Sequence, residues 1–399
     1  MTNPHAPSNA STGVRGGVLP YLATGIVAFE LVWLFVYYWG VIRIGGDAWQ
    51  TGDWLINYSS GLIRRGAAGE LVASVLGQSQ GLIGVFAVQM TLISVFVVSA
   101  LILFWLSPRT PAWFALTLSP AFVLFPFLSF DGGLRKELIA LSAAGIAALA
   151  LRLSWHWVTW IPIVLLFGVG AFSHEIVSLT LPYFVFILWM GVRSHVWPRL
   201  TATWVGAGIA LTAFAGIAVA VFASGTADQI EGICESWTSS GLWPDASRAQ
   251  DFCSGAVSTL DDGVVRAIRQ TAGMFPSYLS LVLPLALSAL PFLIIRCPRP
   301  IRLLVVAQFV ALLPLFVLAI DYGRWAFTLV ALVSFACLGS VSTNCLDEYS
   351  LAPWLAVTFV SVWSLPYSGI SISNSLVMQV LGSMYRWSSE WAAQFIGAG

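Results

Sequence analysis

Between Gly46 and Glu70 the stretch GDAWQTGDWLINYSSGLIRRGAAGE sets Asp47 and Asp53 ahead of the adjacent Arg64 and Arg65 and closes on Glu70. Only 9% of this chain is Asp, Glu, Lys or Arg, so such a density of charge calls for a chemical reason. A carboxylate can take the proton of an attacking hydroxyl, and a guanidinium can hold a phosphate through two parallel N–H donors. Asp47 and Asp53 are therefore candidate catalytic carboxylates, and Arg64 and Arg65 candidate phosphate ligands. Asp47 is the first choice for the base, because it follows the first apolar run closely and is tethered near a bilayer surface. Asp53, beside Trp54, serves equally well as the cap of an amphipathic helix expected over Trp54–Leu76.

Three further segments carry the same mixture. FDGGLRKE supplies Asp131, Arg135, Lys136 and Glu137; FSHEI supplies His174 and Glu175; DYGRW supplies Asp321, Tyr322 and Arg324. Arg135, Lys136 and Arg324 join the phosphate-binding set, His174 and Glu175 the catalytic set, and Asp131, Glu137, Asp321 and Tyr322 the residues expected against substrate. Each has a plainer reading. Asp131 and Asp321 stand where helix N-caps stand, Glu137 and Glu175 can be structural partners of the neighbouring cations, and arginines at membrane edges snorkel to headgroups. His174-Glu175 lacks a second His at helical spacing, and the cysteines show no zinc-type pattern. No cofactor is called for, although carboxylates leave a divalent cation possible. The glycine pairs IGGD and DGG match no phosphate-cradling loop, so ATP is not implicated.

The elements that must position these residues are membrane helices. With 58% hydrophobic residues and a mean hydropathy of +0.85, the chain is too apolar for a soluble globule. Its apolar runs are long and continuous, unlike the short alternation of barrel strands. The expected fold is an all-α polytopic bundle of about eleven spans, beginning near Tyr21, Leu82, Ala112, Leu138, Val158, Ile176, Thr201, Tyr278, Ile301, Trp325 and Ala352. The expected organisation is a tail over 1–20, a membrane domain over 21–367 with external loops 43–81 and 224–276, and an external or interfacial tail over 368–399. Nothing resembles a basic nucleic-acid-binding tract. Glu30, inside the first span, is expected to face the bundle interior.

Alternating the spans puts all four charged segments on one face. Arg109, Arg152, Arg193, Arg199, Arg296, Arg299 and Arg302 fall on the other, scattered in short loops such as RCPRPIR, which is the positive-inside pattern. Cys234 and Cys253 share the long loop and are expected to be bonded, as in an oxidising compartment. The charged face is accordingly expected outside, toward the periplasm of a bacterial inner membrane.

An acidic residue just after the first span, here Asp47, followed by a segment lying on the bilayer, here Trp54–Leu76, resembles the integral-membrane glycosyltransferases of the C-type fold. The chain is similar in the same way to membrane-embedded polymerases of bacterial surface polysaccharide. The likeness covers residues 21 to 90 best; the lone GDAW departs from the paired acidic motif of many such enzymes. It implies transfer of sugar from a polyprenyl-phosphate or polyprenyl-pyrophosphate donor to a glycan or lipid-linked acceptor, among membrane lipids. Trp49, Trp54, Tyr58, Tyr322 and Trp325 are then suited to stacking on sugar rings. The competing classes are a transporter or flippase of the same lipid-linked sugar, another group transferase of envelope assembly, and a non-catalytic scaffold.

Overall fold

The computed structural model describes residues 17–47, 49–223, 225–239, 265, 282–318, 321–340, 349–365 and 375–378. Among them the regular structure is helical throughout. The charged end of the bundle is built by α1 (Val18–Arg43), α2 (Gly52–Leu55), α3 (Ala67–Leu76) and α4 (Gly81–Trp105). A broken passage follows as α5 (Pro111–Thr117), α6 (Phe125–Leu128) and α7 (Phe130–Gly133). Then come α8 (Glu137–Arg152), α9 (Trp160–Ser173), α10 (Glu175–Leu179), α11 (Leu181–Arg193), α12 (Arg199–Phe222) and α13 (Ala227–Thr238). The series closes with α14 (Val282–Ile294), α15 (Arg299–Leu318), α16 (Tyr322–Gly339) and α17 (Pro353–Ser361). Among the described residues six helical stretches are long and apolar enough to cross a membrane: Val18–Arg43, Gln78–Trp105, Glu175–Arg193, Arg199–Phe222, Arg299–Phe316 and Tyr322–Gly339.

Two boundaries differ from expectation. Helix α1 begins at Val18, inside the expected 1–20 tail. The helix expected over Trp54–Leu76 is only α2 and α3, with irregular chain between them. Here local side-chain bonds outcompete the helix: Asn57 Oδ1 accepts from both the Ser59 N–H (3.0 Å) and the Ser59 hydroxyl (2.7 Å). Gly61 (φ 105°) and Arg65 (φ 67°) then take left-handed backbone, which ends any continuous helix. Cys253 and most of the 224–276 loop and the 368–399 tail lie outside the described residues.

Helix α8 is the axis of the bundle. Its sequence ELIALSAAGIAALALR is rich in Ala and Gly and almost wholly buried, so neighbouring backbones approach closely, as small residues permit in membrane bundles. It packs against α4, α9, α11 and α16. Ser142 donates to the Leu92 carbonyl (2.7 Å) and Tyr183 to the Ala144 carbonyl (2.8 Å), anchoring it to α4 and α11. Edge-on contacts among Phe96, Phe122 and Phe335 fill the space beside it. Since α8 starts at Glu137 and α16 at Tyr322, two long and largely buried helices both begin at the charged end.

The described contacts sort the charged segments onto two poles. At the opposite pole Arg109 lies over Trp105 (5.2 Å), Arg152 donates to the Leu106 carbonyl, Trp197 donates to the Trp155 carbonyl (3.0 Å), and Arg296 lies over Tyr349 (4.1 Å). Glu30 is buried on the inward stripe of α1 with Val27 and Leu34, and its Oε2 has no hydrogen-bond partner.

The fit of α3 against the first loop is tight: a Cβ on Gly69 would stand 2.1 Å from the Ile56 carbonyl oxygen. Gly69→Ala should therefore cost about 1–3 kcal/mol as overpacking, read as a lowered unfolding temperature in detergent. Gly25→Ala, whose Cβ meets nothing within 4 Å, should leave that temperature unchanged.

Candidate functional site

The site forms where helix ends and loops meet at the first pole. Asp53 is 1% exposed, its Oδ2 3.7 Å from Arg135 Nε and its Oδ1 3.8 Å from Lys136 Nζ. Neither oxygen has a hydrogen-bond partner, and the same holds for Arg135 Nε and Nη1, Gln50 Oε1 and the Asn57 amide nitrogen. Buried polar atoms are ordinarily satisfied, so this group of unspent donors and acceptors is a polar centre with hydrogen-bonding capacity left for water or a polar ligand.

Around this centre the other charges are paired. Arg65 grips Glu175 with Nε (3.0 Å) and Nη2. Arg324 bonds Glu137 across from α16 to α8 and Asp321 along its own chain. Lys136, with no exposed surface, donates to the Arg65 carbonyl (2.8 Å), holding that residue's left-handed backbone. Glu137 and Glu175 stand in the first turns of α8 and α10, where the helix dipole favours a carboxylate. Arg324 sits in the first turn of α16, where the dipole disfavours a cation, and its two carboxylates compensate.

The electrostatics follow from burial and partners. Burial alone raises the Asp53 carboxyl, but Lys136, Arg135 and Arg65 more than offset it and hold it well below the usual carboxylate range. Burial brings Lys136 down to about 8, Asp53 limiting the fall, and Arg64 down to about 10. Arg65 loses to burial but gains more from Glu175 and stays firmly charged. His174 is pushed down to about 4, mainly by burial, and is neutral at pH 7. Its Nδ1 accepts from the Ile176 N–H at 3.3 Å, which puts the imidazole proton on Nε2. In that tautomer His174 caps α10 and offers a donor, not a base.

The expected site residues thus fall into groups. Asp53, Arg65, Arg135, Lys136, Glu137, His174, Glu175, Asp321 and Arg324 are joined by these contacts, and the buried Arg64 sits behind them with its N–H on the Ala223 carbonyl (2.7 Å). Asp47 is at the rim: its Oδ1 accepts the Trp49 and Gln50 N–H groups, both at 2.8 Å. Asp131, exposed, accepts from the Gln50 amide (2.9 Å), and its carboxylate caps no helix. Asp321 holds the N-cap position of α16, yet spends its carboxylate on Arg324. Trp54 has no exposed surface and Trp325 almost none, so neither can stack on a sugar from solvent; Tyr58 and Tyr322 are half-buried. Glu70 is structural, accepting from the Tyr58 N–H (3.1 Å).

Sequence reasoning passed over the amides. Gln89 lies within α4 with no exposed surface, accepts from Tyr38 (2.6 Å) and donates to the Gln50 and Leu134 carbonyls (2.7 and 2.6 Å). A lone amide in an apolar span was the available signal. Trp237 of α13 donates to the Leu55 carbonyl (2.6 Å), pinning α13 on the loop that follows α1. Beside that junction a groove of about 610 Å³ is lined by Ser59, Gly232, Glu235, Ser236, Thr238 and Ser239. Cys234 is disulfide-bonded, while its expected partner Cys253 lies outside the described residues. Among the described residues no cluster of His, Cys, Asp and Glu has the donors to hold a metal ion. Comparison with protein-family models, characterised proteins and solved structures finds no match.

Two outcomes are expected. Arg324→Met should destabilise the fold by about 3–5 kcal/mol, because it strands the buried Glu137; adding Glu137→Leu should recover most of that, measured by unfolding in detergent. The His174 shift gives a pH dependence: the unfolded chain takes a proton near 6.5, the folded one only near 4. Its contribution is therefore complete above about 6.5 and is lost as pH falls toward 4, by up to about 3 kcal/mol. His174→Asn should flatten the acid limb of an unfolding-temperature profile.

Proposed function

We propose that this protein is a membrane glycosyltransferase or polysaccharide polymerase that transfers sugar from a polyprenyl-phosphate or polyprenyl-pyrophosphate donor to a glycan or lipid-linked acceptor. The reading places it in the bacterial inner membrane, with about eleven helical passages and the charged pole toward the periplasm. The observation that carries it is the polar centre at that pole, where Nε and Nη1 of Arg135 and both oxygens of Asp53 are buried without hydrogen bonds.

In this reading the acceptor hydroxyl attacks the anomeric carbon, its proton passes to a carboxylate, and the polyprenyl phosphate leaves. Arg135 takes the phosphate oxygens, with Arg64 and Arg65 adding positive potential behind it and the N-termini of α8 and α16 adding theirs. Fixed positive charge in a dehydrated site stabilises an anionic leaving group most effectively. Asp53 is the better placed base. Its ionised form is secured by neighbouring cations, and an arriving phosphate partly neutralises those cations and so raises its affinity for a proton. Lys136 and His174 act as supports. The hydroxyl-lined groove beside α13 suits the acceptor.

One observation favours a second reading, a flippase of the same lipid-linked sugar. The passage through α5, α6 and α7 is discontinuous within the buried core, and broken helices are the hallmark of transporter binding sites.

Purified protein in detergent, given a lipid-linked oligosaccharide and no nucleotide sugar, should form an extended product. Asp53→Asn should keep donor affinity and slow the chemical step by roughly 100- to 10,000-fold. Absence of product, together with movement of the lipid-linked sugar between leaflets of reconstituted vesicles, would establish the flippase instead.

A further inference from the structure

Trp49 is 43% exposed, and its ring centroid is 5.6 Å from Arg135 Cζ, so it stands at the outer side of the buried polar centre. A tryptophan that merely anchors at a membrane interface lays its ring among headgroups; this one lies over a buried guanidinium that still has N–H groups unspent. Its backbone is fixed by Asp47, whose Oδ1 accepts both the Trp49 and Gln50 N–H groups. The Thr51 hydroxyl bonds the Asp47 carbonyl and closes the same turn. Gln50, buried, is tied in turn to Asp131 and, through its carbonyl, to Gln89. The turn thus holds one partly open aromatic surface beside one cation with donors to spare.

We propose that Trp49 and Arg135 form the subsite for the sugar–phosphate junction of the donor. Arg135 takes a phosphate oxygen, the open part of the Trp49 ring packs on the apolar C–H face of the sugar attached to it, and Asp47 is the positioning residue that sets the ring. An aromatic face fits this role because a pyranose presents polarised C–H groups on one side, which the negative face of the indole attracts. The inference rests on the glycosyl-donor reading. It assigns Asp47 a role through hydrogen-bond acceptance, which an amide oxygen performs equally well, and none through proton transfer.

The test measures binding of polyprenyl phosphate and of polyprenyl-phosphate-linked glucose, galactose and mannose to full-length protein in detergent. The comparison uses whichever sugar-bearing lipid the wild type binds most tightly. Trp49→Leu should weaken that lipid roughly five- to tenfold and leave bare polyprenyl phosphate unchanged, whereas Trp49→Phe should retain most of the affinity. Asp47→Asn should behave as wild type in binding and turnover, and Asp47→Ala as Trp49→Leu. Equal loss of both lipids in Trp49→Leu would overturn the inference by making Trp49 a packing residue. Loss of turnover in Asp47→Asn with binding intact would overturn it by making Asp47 the base. A wild type that binds no polyprenyl phosphate at all would remove the donor reading itself.

Discussion

Charge buried in an apolar bundle has to be compensated on the spot, and that requirement organises one end of this molecule. Taking a carboxylate or guanidinium out of water costs several kcal/mol even after relaxation, so each one here is brought to a partner from a distant part of the chain. Arg324 reaches Glu137 between the two innermost helices, Arg65 reaches Glu175, and Asp53 lies between Arg135 and Lys136. The first two pairs are close and hydrogen-bonded. The third is held at 3.7–3.8 Å, with both Asp53 oxygens and the Nε and Nη1 of Arg135 lacking a hydrogen bond. The framework pairs each carry direct hydrogen bonds between their charges, although Glu137 keeps one oxygen over, and the pairs of the centre carry none.

That contrast is what gives the arrangement chemical meaning. A network built only for stability would close its hydrogen bonds, because a half-satisfied buried network is costly. Polar atoms left open in a centre whose surroundings are rigidly paired are preorganised for something that completes them. The rigidity comes from the packing of α8 and α16, whose small residues and aromatic neighbours fix the positions of Glu137 and Arg324, and from Lys136, which pins the Arg65 backbone. The broken passage through α5, α6 and α7 leads into Leu134, Arg135 and Lys136, and Trp54 donates to the Leu134 carbonyl to lock the first loop against it.

The first loop and α13 are not independent of one another. Trp237 inserts beneath the first loop and bonds its backbone, and a Cβ on Gly81 would strike the Trp237 ring at 2.5 Å. The disulfide at Cys234 lies on the same helix, α13. A segment more than a hundred residues downstream therefore helps fix the first loop, a coupling carried by ordinary packing and one indole N–H.

By itself the sequence determined the helical membrane character and the grouping of the charged segments, because hydropathy and span alternation are local properties that survive any packing. Asp53, Arg65, Arg135, Lys136, Glu137, His174, Glu175, Asp321 and Arg324 were legible as one cluster for that reason. Their division of labour was not. Asp47 and Asp53 look alike in sequence, six residues apart in one loop, and only the fold turns one into the acceptor of a rim turn and buries the other between cations. The same is true of Lys136, which is a support and not an open cation, and of the Trp54–Leu76 helix, undone by the Asn57 side-chain bonds and the left-handed residues after it. Gln89 drew no attention because its importance lies wholly in the carbonyls it meets. What a charged or polar side chain does depends on how far it is desolvated and which atoms stand within about 3 Å of it, and both are set by packing between segments that the sequence lists far apart.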